Sequence, residues 1–162
     1  GTVFHLRDEK LAHDPYGVVD VALEFLDKNP KYKEFDKLCI IMPTAPLVKS
    51  EDLIGAFKSY ESGNHKCVMS VNETEHNALR SVFVRGGKIE PLFPEFIRKK
   101  SQELEKTYRT NGAVIVLDIK MFMSKKSYFF DKTGAYIMPR ERSIDIDTEL
   151  DYRIAKYIME KE

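Results

Sequence analysis

The chain has 162 residues, 26 of them basic and 26 acidic, which is enough for one domain that buries roughly 70% of its unfolded surface. With 43% hydrophobic and 32% charged residues it is a globular chain, and its balanced charge argues against a dedicated nucleic-acid or anionic-membrane binder, which carries a basic excess. No apolar run nears the ~18 residues of a membrane span, and the first residues lack a secretory pattern, so the expectation is a cytoplasmic chain with no membrane or nucleic-acid partner.

Residues 2–6 are a short apolar run without an obvious partner. In residues 16–27, Val18, Val19, Ala22, Leu23 and Leu26 fall at helical spacing, and Asn29-Pro30 stops the pattern. Residues 38–42 are almost wholly apolar, as in a parallel strand covered on both faces. They lead into Pro43-Thr44-Ala45-Pro46, whose prolines stiffen a loop. Ser50 opens a second helix with a stripe of Leu53, Ile54, Phe57 and Tyr60, closed by Gly63-Asn64. Residues 67–71 are the next strand. Cys39 and Cys67 sit in apolar runs and read as small core hydrophobes; a cross-link between them is not demanded.

Strand, helix and strand in alternation predict a doubly wound sheet. The middle departs from that pattern. Residues 81–85, Gly86-Gly87 and residues 88–92 form a hairpin with a glycine turn, followed by Arg98-Lys99-Lys100. Residues 112–117 (GAVIVL) are a buried strand, 119–123 a short helix, 135–138 a short strand and 148–160 a closing helix. No internal repeat or low-complexity tract interrupts them.

The segment richest in chemistry is Ser143-Ile144-Asp145-Ile146-Asp147-Thr148-Glu149-Leu150-Asp151. In extended backbone, alternation sends both isoleucines one way and both carboxylates the other, with alternate residues about 6.5–7 Å apart. Asp145 and Asp147 can therefore converge on one ion. Two oxygen ligands completed by phosphate and water suit Mg²⁺. Thr148 with Asp151 is a capping signature, so the pair ends where a helix begins. On the residues alone, the aspartates could equally be solvated turn and cap formers.

That run, preceded by Tyr136-Ile137-Met138, resembles the closing motif of the acylneuraminate cytidylyltransferases. Met42-Pro43-Thr44-Ala45-Pro46 is similar to their Gln-Pro-Thr-Ser-Pro loop. Gln102-Glu103-Leu104 and Tyr108-Arg109-Thr110-Asn111-Gly112-Ala113 resemble their Arg-Gln-x-Leu and Asn-Gly-Ala segments. Leu6-Arg7 with Leu11-Ala12-His13-Asp14 resembles Arg-Pro-x-x-Leu-Ala-x-Asp. The matches run in order along essentially the whole chain.

The resemblance implies an α/β, Rossmann-like nucleotidyltransferase domain over residues 1–162, with a mostly parallel sheet and residues 80–105 as a protruding hairpin arm for dimerisation. It implies CTP and a nine-carbon sugar acid as substrates, Mg²⁺ as cofactor, and a homodimer. Position by position, it makes Asp145 and Asp147 the catalytic metal ligands and Arg7 a nucleotide contact. Thr44, Gln102, Arg109 and Asn111 fall on substrate-binding segments, and Phe129 and Phe130 match an aromatic pair walling the sugar site of a family dimer.

Met42 stands where the family has a Gln, Ser101 where it has an Arg, and Ile115 where it has a Tyr. The family's opening Gly-rich basic loop, which cradles the triphosphate, has no counterpart here, so the expectation is a chain lacking that N-terminal part. Two other functions follow as alternatives: a catalytically silent binding or dimerisation module, and transfer of CMP to a different keto sugar acid such as 3-deoxy-manno-octulosonate.

Overall fold

A computed structural model describes residues 2–161. In chain order the regular elements are α1 (Val18–Lys28), β1 (Lys37–Ile41), α2 (Ser50–Ser62), β2 (Cys67–Glu73), β3 (Val82–Arg85), β4 (Lys88–Pro91), β5 (Tyr108–Asp118), α3 (Ile119–Lys125), β6 (Thr133–Ile137) and α4 (Glu149–Met159). Each coincides with an apolar run or stripe expected from the sequence. The run at residues 2–6 forms no helix or strand, and its Phe4 and Leu6 side chains are exposed.

Four strands form one sheet in the order β1-β5-β2-β6. The expectation of a mostly parallel sheet is wrong. β1 and β2 both pair antiparallel with β5, and only β2 with β6 is parallel. β1, β2 and β6 run one way, as the β1–α2–β2 crossover requires, while β5 alone runs the other way between two of them. The cause is the arm. The chain leaves β2 at Glu73 and returns to β5 opposite it, with Glu73 in register with Tyr108 and Thr74 donating its N–H to Thr107 O at 2.9 Å. β2, the arm and β5 thus make one long hairpin, closed at its base by Thr74 and Thr107, and strands joined this way run antiparallel.

Both faces of the sheet are covered. On one face α2 turns Ala56 and Tyr60 onto Val68, Val114 and Val116, with Met138 beside them. On the other, α1 and α3 supply Leu26 and Phe122 against Cys67, Met69, Ile115 and Leu117. Leu26 and Phe122 are fully buried and contribute about 1.5–3 kcal/mol each relative to exposure. β5 is buried along most of its length. β1, by contrast, lies at the sheet edge with Ile41 48% exposed, although its sequence reads as a strand covered on both faces. Cys39 and Cys67 are free thiols, and burial pushes the Cys67 thiol up to about 12, leaving it unreactive.

The arm carries the separate β3–β4 hairpin, whose turn places Gly86 and Gly87 at φ +55° and +75°. A two-residue turn with positive φ at both positions matches strand twist and admits glycine readily. Its Val84 and Ile89 face each other in register and are 72% and 70% exposed. Among the described residues, no helix is long and apolar enough to cross a membrane.

Candidate active site

β5 does not follow β2 evenly. Met69 pairs with Ile115, but Val71 pairs with Thr110, so the β5 backbone bulges between them. Gly112, at φ +68°, supplies the left-handed conformation this bulge needs. Buried Asn111 locks it. Its Oδ1 accepts from Ser70 Oγ at 2.6 Å and from Ala113 N at 3.2 Å, while its Nδ2 donates to Ser143 Oγ at 2.9 Å. Ser70 Oγ in turn accepts Val114 N–H at 2.8 Å. The bulge is thereby tied to the segment that carries the acidic pair.

That segment runs from the end of β6 to the start of α4 and is irregular rather than an extended strand. Ser143 Oγ donates to Pro139 O at 2.8 Å, and Ile146 N donates to Thr44 O at 2.9 Å. Asp147 N donates to Asp145 O at 3.2 Å, closing a tight turn over Ile146. Thr148 caps α4. Its N–H and hydroxyl reach Asp151 Oδ2 at 2.8 and 2.6 Å, and its Oγ1 accepts from Asp151 N at 3.3 Å. These bonds from Thr148, with Arg109 nearby, hold the Asp151 carboxyl below the usual carboxylate range.

Asp145 is half-buried and Asp147 exposed, and both line one cleft of about 280 Å³ with Arg109, Thr110, Asn111, Thr148 and Asp151. Among the described residues, neither carboxylate has a hydrogen-bond or ion-pair partner. A Cβ built on Gly112 would lie 3.9 Å from Asp145 Oδ2, so that carboxylate faces the bulge. Asp151 is committed to its cap, and no group of three or more His, Cys, Asp or Glu side chains among the described residues could enclose a metal. Two free carboxylates in an open cleft are a partial oxygen set. That fits Mg²⁺, which retains water and takes phosphate oxygens, and does not fit a metal needing a full protein cage.

The other expected site residues are divided among three clefts and the loops between them. Arg109 lines the acidic cleft and is exposed; Asn111 lines it too, with its amide turned to the internal network. Thr44 contributes its carbonyl to Ile146, bringing the Pro43–Pro46 loop to the acidic segment. Arg7 is exposed in the irregular stretch before the Glu9–Ala12 turn, outside that cleft. Gln102 lines a larger cleft, about 580 Å³, at the base of the arm with His76, Asn77, Arg80 and Lys106. Phe129 is exposed and Phe130 half-buried; both line a third cleft of about 330 Å³ with Lys66, Lys125 and Lys132.

One group escaped the sequence reading. Asp52, fully buried at the start of α2, receives two bonds of 2.9 Å from Arg142, a third of 3.0 Å from the Tyr136 hydroxyl and a fourth of 3.0 Å from Lys49 N. Arg142 also meets Glu51 at 2.9 Å. Helix α2 begins at Ser50 with Lys49 as its cap residue, so Asp52 rather than Ser50 closes the helix start. An acidic residue at the third helical position was a visible signal; its distant arginine was not.

No protein-family model matches the chain. Sequence relatives do. The chain is 26% identical over 170 aligned residues to the post-translational flagellin modification protein B of Campylobacter coli, covering 99% of this chain and 69% of that protein. It is 27% identical over 163 residues to the N-acylneuraminate cytidylyltransferase of Escherichia coli, covering 99% of this chain and 38% of that one. It is 26% identical over 157 residues to the pseudaminic acid cytidylyltransferase of Campylobacter jejuni, covering 94% and 67%. The chain thus spans between 38% and 69% of the lengths of these three relatives. Across nearly its whole length, the chain is a distant homologue of the acylneuraminate and pseudaminic acid cytidylyltransferases and of flagellin modification protein B.

Proposed function

We propose that this chain takes part in transferring CMP from CTP to a sialic-acid-like 2-keto sugar acid, giving a CMP-sugar and pyrophosphate, in a cytoplasmic homodimer. The observation that carries the reading is the sharing of one cleft by Asp145, Asp147 and Arg109, on a chain related to cytidylyltransferases from end to end. Names among the relatives include N-acylneuraminate, pseudaminic and diacetyllegionaminic acids, which favours this substrate class over an octulosonate.

In the proposed reaction the anomeric hydroxyl attacks the α-phosphorus of CTP. A new P–O bond forms, the bond to pyrophosphate breaks, and the hydroxyl proton is released. Phosphoryl transfer depends mainly on alignment and charge neutralisation. Mg²⁺, when bound, supplies charge neutralisation on the phosphates. Asp145 and Asp147 are its ligands in this reading. Arg109 sets a fixed positive charge on the same cleft, suited to a phosphate or the sugar carboxylate. Gln102 and the Phe129–Phe130 pair, on clefts of their own, would meet the sugar acid across a dimer whose contact is the exposed arm.

Calorimetric titration of CTP with Mg²⁺ tests the assignment. The unaltered chain should bind, and an Asp145→Ala/Asp147→Ala double variant should bind at least about tenfold more weakly. Equal binding by both would remove the pair from the site. No binding by either would favour a silent module. Pyrophosphate release with N-acetylneuraminate against 3-deoxy-manno-octulosonate then ranks the sugars.

A further inference from the structure

The residues flanking the acidic pair are held from three directions. Arg142, three residues before Asp145, is gripped by Asp52 of α2 through two bonds of 2.9 Å. Ser143 is bonded to Asn111 of β5 at 2.9 Å. Ile146, between the two aspartates, donates to Thr44 O of the loop joining β1 to α2 at 2.9 Å. The two carboxylates themselves have no hydrogen-bond or ion-pair partner among the described residues. Their backbone is pinned while their side chains are left available.

We propose that Asp52 is a positioning residue for the Asp145–Asp147 pair, acting through Arg142 to set where the acidic segment enters the cleft. The inference rests on the cation site of the proposed function. A buried ion pair is a poor source of net stability, because desolvation offsets its attraction and an apolar replacement of the same volume often does as well. What it does supply is direction. A planar guanidinium and a carboxylate meeting through two parallel bonds fix distance and angle together. Asp52 is fully buried and the Arg142 side chain is 15% exposed, so the pair is largely withdrawn from solvent. Tyr136, at the end of β6, bonds to the same carboxylate at 3.0 Å and brings the strand that precedes the segment into the same grip. Groups bonded directly to a metal ligand commonly control affinity about 10–100-fold. Asp52 acts one step further out, on the backbone that carries the ligands, so the lower end of that range is expected.

Two variants test the inference. Arg142→Lys keeps the charge and loses the two-pronged geometry; Asp52→Asn keeps the shape and loses the charge. Amide hydrogen exchange by NMR and Mn²⁺ binding by electron paramagnetic resonance, with and without CTP, are measured on the unaltered chain and on both variants. The Ile146 amide should exchange at least about tenfold faster in the variants while β5 amides stay protected, and Mn²⁺ should bind about tenfold more weakly. Unchanged exchange at Ile146, or equal acceleration at Ile146 and throughout β5, overturns the inference. So does accelerated exchange at Ile146 with undiminished Mn²⁺ affinity. Failure of the unaltered chain to take up Mn²⁺ sinks the proposed function instead, and the Ile146 rate still decides whether Asp52 holds the segment.

Discussion

Arg142 and Asp52 stand 90 positions apart in sequence and meet through two bonds of 2.9 Å, at a carboxylate with no solvent exposure. Removing Asp52 takes both of these bonds from a largely buried Arg142 and leaves it the exposed Glu51, at 2.9 Å, as its acidic contact. Asp52→Ala should therefore destabilise the fold by about 3 kcal/mol, the lower end for a broken buried pair because Glu51 remains beside the guanidinium. Urea unfolding followed by circular dichroism measures it; a loss below about 1 kcal/mol would mean that Arg142 finds water or another acid.

The same pair predicts a pH dependence. Burial pushes the Asp52 carboxyl up, but bonds from Arg142, Lys49 N and the Tyr136 hydroxyl outweigh it and hold the group below the ordinary carboxylate range. In the unfolded chain the group titrates at about 3.9. Above that pH it is ionised in both states and its contribution is fully present. Below it the unfolded chain takes up the proton first, and the contribution drains away as pH falls through the folded value. Calorimetric unfolding should show a flatter acid limb, below about pH 4, for Asp52→Asn than for the unaltered chain.

Gly112 is the conformational hinge of the β5 bulge. An alanine there meets nothing nearer than Asp145 Oδ2 at 3.9 Å, so space is not the obstacle, but φ +68° is. Left-handed backbone costs an L-residue about 1–2 kcal/mol. Gly112→Ala should lower stability by that amount in chemical denaturation, without abolishing the fold.

Ser70 completes the lock on that bulge. Ser70→Ala leaves the Val114 N–H without its 2.8 Å acceptor and Asn111 without its 2.6 Å donor, all within the core. An orphaned buried donor costs about 1–3 kcal/mol. A matching fall in thermal stability, with faster exchange of the Val114 amide, is the expected readout.

The arm offers a test of assembly. Val84 and Ile89 are paired across the hairpin and exposed together. If the arm joins two copies, Val84→Glu with Ile89→Glu should shift the chain to monomer at micromolar concentration in sedimentation velocity. Folding stability should change by no more than about 0.5 kcal/mol, as for other surface positions. A dimer that survives this double change would place the contact elsewhere.

The helices and strands were legible because apolar periodicity is local: α1, α2 and each strand reappear where their side-chain spacing put them. Strand direction was not. GAVIVL reads alike in either orientation, and only the return of Tyr108 opposite Glu73 reverses it. The edge position of β1 was hidden for the same reason, since an apolar run states a preference for burial and not which neighbours provide it. At the candidate site, alternation predicted that Asp145 and Asp147 lie together, and they do line one cleft, though through a tight turn rather than an extended strand. The Asp52–Arg142 pair was invisible, because nothing local links an acidic helix start to an arginine beyond β6.

The reversed strand β5 also sets the order in which the described sheet can assemble. Among the described residues β1 pairs with β5, and β2 finds its partners in β5 and β6, both of which come later in the chain. Within the described residues, a chain ending at Glu73 therefore holds β1 and β2 without the strands they pair with. The pairing seen here waits for the segment ending at Asp118, and apolar strands whose edges await a late partner, such as LCIIM and CVMSV, are the places where association with other chains begins.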